Sequence, residues 1–200
     1  CQNHSTPDRF STTTQLEDLL RPYKERKCKV YLIHGNMSDS EINSLYCHPK
    51  IKAYATLTHG EGFGLPIFEE AYNGLPVIAP NWSGHVDYLH MPEKNKKGKR
   101  FKLKPKFLRV DYDMVQIPEE VVWDGVLIRE SGWCQAKQGS YKMQLRQAYK
   151  NIKKCSKDAS KLQDWILENF NEEQQYAKFV DAIGAFNDDV GLEFAFEELA

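Results

Sequence analysis

Two neighbouring runs, Glu61-Gly-Phe-Gly-Leu-Pro-Ile-Phe-Glu69 and Gly74-Leu-Pro-Val-Ile78, limit what this chain can fold into more than any other part of it. The preceding segment, Ala53-Tyr-Ala-Thr-Leu57, is rich in small and β-branched residues and predicts a short strand. Residues 65–73 hold a single β-branched side chain, Ile67, and predict a helix that tolerates Pro66 in its first turn. Gly74-Leu-Pro76 ends that helix, and Val77-Ile-Ala79 reads as a buried parallel strand. Strand, glycine turn, helix and strand make a βαβ unit, and such units bind ligands at the carboxyl ends of their strands.

The turn itself is suited to an anion. A helix start carries unpaired N–H groups and about half a positive charge. Gly62 and Gly64 lack a Cβ, so a ligand can approach the backbone closely. The expected donors are the amides of Phe63, Gly64 and Leu65, since Pro66 has none. Glu69 lies about 7 Å further along the axis, at a rise of about 1.5 Å per residue. A diphosphate on the helix start therefore puts a ribose near Glu69, whose carboxylate suits a vicinal diol. Glu61, before the turn, reaches the far side, where a sugar would hang. The spacing fits a nucleotide diphosphate-sugar better than a bare phosphate. Glu69 alone has a simpler explanation, because an acidic residue in the first turns of a helix is favourable in itself. The constellation as a whole favours function.

Elsewhere the chain alternates helix and strand signals. A helix is expected over Thr14–Arg26, with Ser11 or Thr12 near its cap, then a strand at 29–33 and a helix over Ser38–Tyr46. Glu93–Arg109 holds nine basic residues and one acidic, and reads as a solvated loop or hairpin, or as a basic flap beside a polyanion. Phe107–Tyr112 reads as a strand. Helices are expected over Ser140–Lys154, Ser160–Phe170 and Glu172–Phe186, with their aromatics in the core. Asn187–Ala200 is acidic and keeps four large apolar residues, which suggests docking on a partner domain.

Composition sets outer bounds. The 27 basic and 28 acidic residues give no overall pull toward nucleic acid. The five cysteines form no Cys-x-x-Cys pair, and neither they nor the histidines show ligand spacing, so no metal is expected and a reduced cytoplasmic protein is the simplest reading. No apolar run reaches transmembrane length. His59 and His85 flank the glycine turn and are candidates to approach a phosphate or sugar, or to serve the turn alone. The chain starts at Cys1 with a polar stretch and reads as part of a longer protein.

Residues Gly60–Glu69 and Gly74–Ala79 together resemble the signature of retaining glycosyltransferases of the GT-B fold, family-four type. Weaker matches lie at Val30–Gly35 and Asn81–Asp87. The resemblance implies an α/β fold with a Rossmann-like parallel sheet, flanked by helices and ending in a helical segment, as the C-terminal half of a GT-B enzyme. It implies a donor-binding domain over 1–186 with a basic loop at 91–107, and a tail at 187–200 that docks on an N-terminal domain. Glu61 would contact the transferred sugar and Glu69 the ribose, as the catalytic pair. Phe63, Gly64 and Leu65 would hold the distal phosphate, Gly35, Asn36 and Met37 would line the base, and Ser83 and Gly84 would border the site.

The implied activity is metal-independent, retaining transfer of a sugar from a nucleotide diphosphate-sugar donor, with no cofactor. The acceptor would be a glycan, lipid or small molecule held by an N-terminal domain outside this chain, in a cytoplasmic and at most membrane-peripheral setting. Two features depart from the family. Glu70 stands where the family has Ala, and is expected to point to solvent or another helix. The basic residues that hold the diphosphate have no counterpart here, which keeps open a non-catalytic nucleotide-sugar module. A dinucleotide-dependent dehydrogenase fails on spacing, because Leu65 and Ile67 stand where a third glycine is required.

Overall fold

A computed structural model describes residues 9–95 and 100–190. The chain divides into two compact units, Cys1–Ser44 and Leu45–Ala200. The first holds helix α1 (Arg9–Leu20), which starts earlier than expected and so takes Ser11 and Thr12 into its body. A single 3-10 turn, Arg21–Tyr23, follows with Pro22 in it. The expected strand at 29–33 does not form. Its side chains still alternate: Val30 and Leu32 line a groove with Leu16 and Leu20 of α1, while Tyr31 and Ile33 are 79% and 63% exposed. The pattern of a strand is present, but a strand exists only when a neighbour accepts its ladder. Helix α2 (Asp39–Tyr46) opens on a capping box. The Ser38 amide donates to Glu41 Oε2 at 2.8 Å, and the Glu41 amide reaches back to Ser38 Oγ at 3.4 Å.

The second unit is built on a parallel sheet of three strands, in the order β1 (Tyr54–Ala55), β2 (Val77–Pro80), β5 (Leu108–Val110). Tyr54 pairs with Val77, and Ile78 with Leu108. Between β1 and β2 runs α3 (Leu65–Tyr72). After β2 come the short α4 (Val86–Leu89) and a hairpin of β3 (His90–Lys94) with β4 (Phe101–Pro105), so the basic segment is a hairpin. A second hairpin, β6 (Tyr112–Gln116) with β7 (Gly132–Ala136), follows β5. Three helices close the described chain: α5 (Gln138–Lys150), α6 (Ile152–Asn169) and α7 (Glu172–Val190).

Alternation along β2 decides how the layers pack. Val77 and Ala79 enter one core with Ile67 and Ala71 of α3 and Leu162 and Ile166 of α6. Ile78 enters a second core with Leu108, Val110 and Ala148 of α5. Helices therefore cover both faces of β2, which is why Val77–Pro80 is buried at every position. Of the aromatics expected in the core from α5, α6 and α7, Trp165 of α6 packs against the first core, but Tyr149 of α5 and Tyr176 and Phe179 of α7 are exposed, as are the apolar Val180 and Ile183 of α7. Of the expected tail, residues 191–200 lie outside the described residues.

Ile166 is fully buried between α6 and α3. Ile166→Ala should lower the unfolding free energy by about 2–5 kcal/mol, read by urea denaturation.

Candidate functional site

The glycine turn is held from two sides. Gly64 caps α3 in the left-handed region, with φ of 82°, and its carbonyl accepts from the Phe68 amide at 2.9 Å. A Cβ at Gly64 would sit 3.2 Å from the Tyr88 hydroxyl. Tyr88, fully buried, shares its hydroxyl proton between the carbonyls of Phe63 and Gly64, each 3.0 Å away. The Phe63 ring packs on Phe68 and Tyr88, both at 5.1 Å between centroids.

From the other side come Ser83 and Gly84. The Glu61 amide donates to Ser83 Oγ at 2.6 Å, and that hydroxyl donates to the Glu61 carbonyl at 2.9 Å. The Gly84 amide donates to the same carbonyl at 3.0 Å. A Cβ on Gly84 would lie 1.8 Å from the Gly62 carbonyl oxygen, so only glycine allows the two loops to meet. Ser83 takes the left-handed conformation itself, with φ of 74°. The two residues expected to border the site thus fasten it. The α3 start, with the amides of Phe63, Gly64 and Leu65, is fixed at the carboxyl end of β1.

Three carboxyl groups and three tyrosines surround this turn. The exposed Glu69 carboxylate accepts from the Tyr46 hydroxyl at 3.2 Å. Burial first, then the charge of Glu69, pushes the Tyr46 phenol up to about 12. The Tyr54 phenol is also raised, by burial and then by Glu70, with Glu61 a smaller cause. Glu61 contributes to raising Tyr88 as well, after burial. The two expected carboxylates therefore act on a connected set of phenols. Tyr46, Tyr54 and Tyr88 carried no local signal in the sequence; each reaches the turn only through tertiary packing.

Glu70 corrects an expectation. It does not point to solvent: it is 4% exposed, with Oε2 unpartnered. Burial, then the neighbouring Glu69 charge, raises its carboxyl to about 7. The sequence held the signal for this. Ile67, Glu70 and Ala71 are spaced i, i+3, i+4, which is one face of a helix, and that face is buried.

The histidines serve the frame. His85 is fully buried, with Nε2 2.8 Å from the Pro80 carbonyl and Nδ1 unpartnered. Burial holds its pKa below the usual value, so the ring is neutral and donates from Nε2. His59 stacks on Trp133 at 4.1 Å, and its Nδ1 lies 2.7 Å from the Cys134 carbonyl. Gly35, Asn36 and Met37 belong to the first unit, where Gly35 has φ of 136° and Met37 is half-buried. Cys28 and Cys47 are exposed, Cys134 is buried, and all are free thiols, as is Cys155. Among the described residues no three His, Cys, Asp or Glu side chains gather as a metal ion would require.

Among curated proteins the chain is similar to cytosolic sulfotransferase 10 of Arabidopsis thaliana, at 32% identity over 85 residues, 42% of this chain and 24% of that protein. The chain thus spans about a quarter of the length of the curated relative it matches. No family model and no solved structure matches. The match corrects the expected function. It points to sulfonate transfer, not to retaining glycosyl transfer or to a nucleotide-sugar module.

Two outcomes follow from the geometry. Gly84→Ala should lower the unfolding free energy by more than about 2 kcal/mol, because its methyl group meets backbone that cannot swing away. Glu70→Gln tests the buried carboxyl. A folded pKa raised from 4.5 to about 7 leaves full stability below pH 4.5 and removes it as pH rises through 7. The variant should match wild type at pH 4 and exceed it by about 1–3 kcal/mol at pH 8 in denaturant titrations.

Proposed function

We propose that this chain is the donor-holding part of a group transferase, and that the group moved is a sulfonyl group carried on a nucleotide phosphate. The observation that carries the reading is the α3 start, fastened by the bonds of Ser83 and Gly84 to the Glu61 backbone. The amides of Phe63, Gly64 and Leu65 hold the donor's anionic oxygens. Glu69, oriented by the Tyr46 hydroxyl, takes the ribose hydroxyls. The partial identity to a sulfotransferase favours sulfonate as the cargo. Helices on both faces of a parallel sheet support a Rossmann-like parent fold, in which this site lies at the strand ends.

In the proposed step an acceptor hydroxyl attacks sulfur. The S–O bond to the phosphate breaks as the new S–O bond forms, and the hydroxyl proton passes to the Glu61 carboxylate. The departing phosphate gathers charge, which the helix start stabilises. One helix end supplies at most about 2 kcal/mol, and charged hydrogen bonds about 1.5–3 kcal/mol each. Micromolar affinity requires about 8 kcal/mol. The rest of the donor's grip, and the acceptor, a glycan, lipid or small molecule, are assigned to a further domain.

Calorimetry with a nucleotide phosphosulfate tests the donor side. Glu69→Gln should weaken binding about tenfold, in line with one charged hydrogen bond. Glu61→Gln should leave binding within about threefold while lowering sulfonate transfer by the complete protein about a hundredfold. Unchanged transfer by Glu61→Gln, or unchanged affinity in Glu69→Gln, contradicts these assignments.

A further inference from the structure

Among the described residues Glu70 is the one buried carboxyl group. Its Oε2 has no hydrogen-bond partner, and no ion pair of the described residues includes it. The side chains around it are of two kinds. Apolar ones come from β2 and α6: Val77, Ala79, Leu162 and Ile166 share a core with Ile67 and Ala71, the residues on Glu70's own side of α3. The titratable ones are Glu69 on the same helix, Tyr54 of β1, and Tyr46. Burial raises both phenols above their ordinary range, Tyr46 to about 12, so neither titrates near neutrality.

A carboxyl group taken out of water, beside another carboxylate and with no cation to offset it, holds its proton well above the ordinary carboxylate range. Glu70 accordingly titrates at about 7, through burial first and then the Glu69 charge. It also stands on the helix whose start forms the proposed seat. From Gly64 to Glu70 the axis rises about 9 Å, at about 1.5 Å per residue.

We infer that Glu70 is a proton-operated control on the anion seat: protonated, it leaves the α3 start free to hold an anion, and ionised, it weakens that hold by charge repulsion. The inference rests on the proposed seat at Phe63, Gly64 and Leu65. Unit charges about 9 Å apart, at an effective dielectric of about 20, repel by an amount equal to roughly twentyfold in affinity, which salt screening lowers to about tenfold. The sign follows from the titration: affinity is full below the Glu70 pKa and falls as pH rises through about 7. By reciprocity a bound anion makes Glu70 harder to ionise by the same factor, about one pH unit.

Amide nuclear magnetic resonance of the full chain, titrated with inorganic sulfate at pH 5.5 and at pH 8, tests this, because sulfate keeps its charge over that range. In wild type the Kd read at Phe63, Gly64 and Leu65 should rise about fivefold from the lower to the higher pH, the part of the tenfold effect expressed by pH 8. In Glu70→Gln it should stay within about 1.5-fold. In wild type the side-chain carboxyl carbon of Glu70 should titrate about one pH unit higher in saturating sulfate than without it. Equal affinity at the two pH values, the same fivefold loss in Glu70→Gln, or an unmoved Glu70 midpoint overturns the control and leaves the seat standing. No shift of the three amides at either pH removes the seat and the control together.

Discussion

The architecture of the candidate site depends on one backbone seam. Gly62 and Gly84 meet so closely that a single methyl group at Gly84 would fall 1.8 Å from a carbonyl oxygen. Around this contact the Ser83 hydroxyl both accepts from and donates to Glu61, and Tyr88 supports the turn from beneath. The loops after β1 and β2 are thus fixed by the close glycine contact, the Ser83 hydroxyl and the Gly84 amide together. The α3 start sits on a braced turn, and a preorganised anion seat requires such a base.

The carboxyl groups divide by environment. Glu69 stays exposed and engages Tyr46. Glu70, one residue on, turns inward with Ile67 and Ala71, and its carboxyl is raised to about 7, so it is about half protonated at neutrality and largely protonated below it. The difference is about 100° of helix rotation, enough to separate an exposed carboxylate from a buried acid. The protonated state also removes a second negative charge from beside the anion seat, so the departure at Glu70 is compatible with binding an anion.

The βαβ core was legible because its signals are local. Gly64, Pro66, Gly74 and the apolar run Val77–Pro80 each act within a few residues, and α3 and β2 lie where they predict. Signals that depend on a neighbour fared differently. Residues 29–33 have the alternation of a strand but no ladder partner, and the apolar residues of α7 have helical spacing but no core to enter. Within the site, Glu61, Glu69, Phe63, Gly64 and Leu65 could be nominated from sequence, as could Ser83 and Gly84. That Ser83 fastens the turn, and that Tyr46 and Tyr88 reach it, follows only from packing, across 22 to 24 residues of chain for the bonds to Glu61, Glu69 and Gly64. The reaction was the least legible part. A glycine turn at a helix start can suit an anion but does not name the group attached to it, and the similarity to a sulfotransferase redirects the reading from glycosyl to sulfonate transfer.

The central claim is that the α3 start is an anion seat. Amide nuclear magnetic resonance during titration with inorganic sulfate and pyrophosphate tests it most directly. The account predicts saturable shifts at the amides of Phe63, Gly64 and Leu65. Shifts confined to the lysines and arginines of the β3–β4 hairpin, with those three amides unmoved, would contradict it.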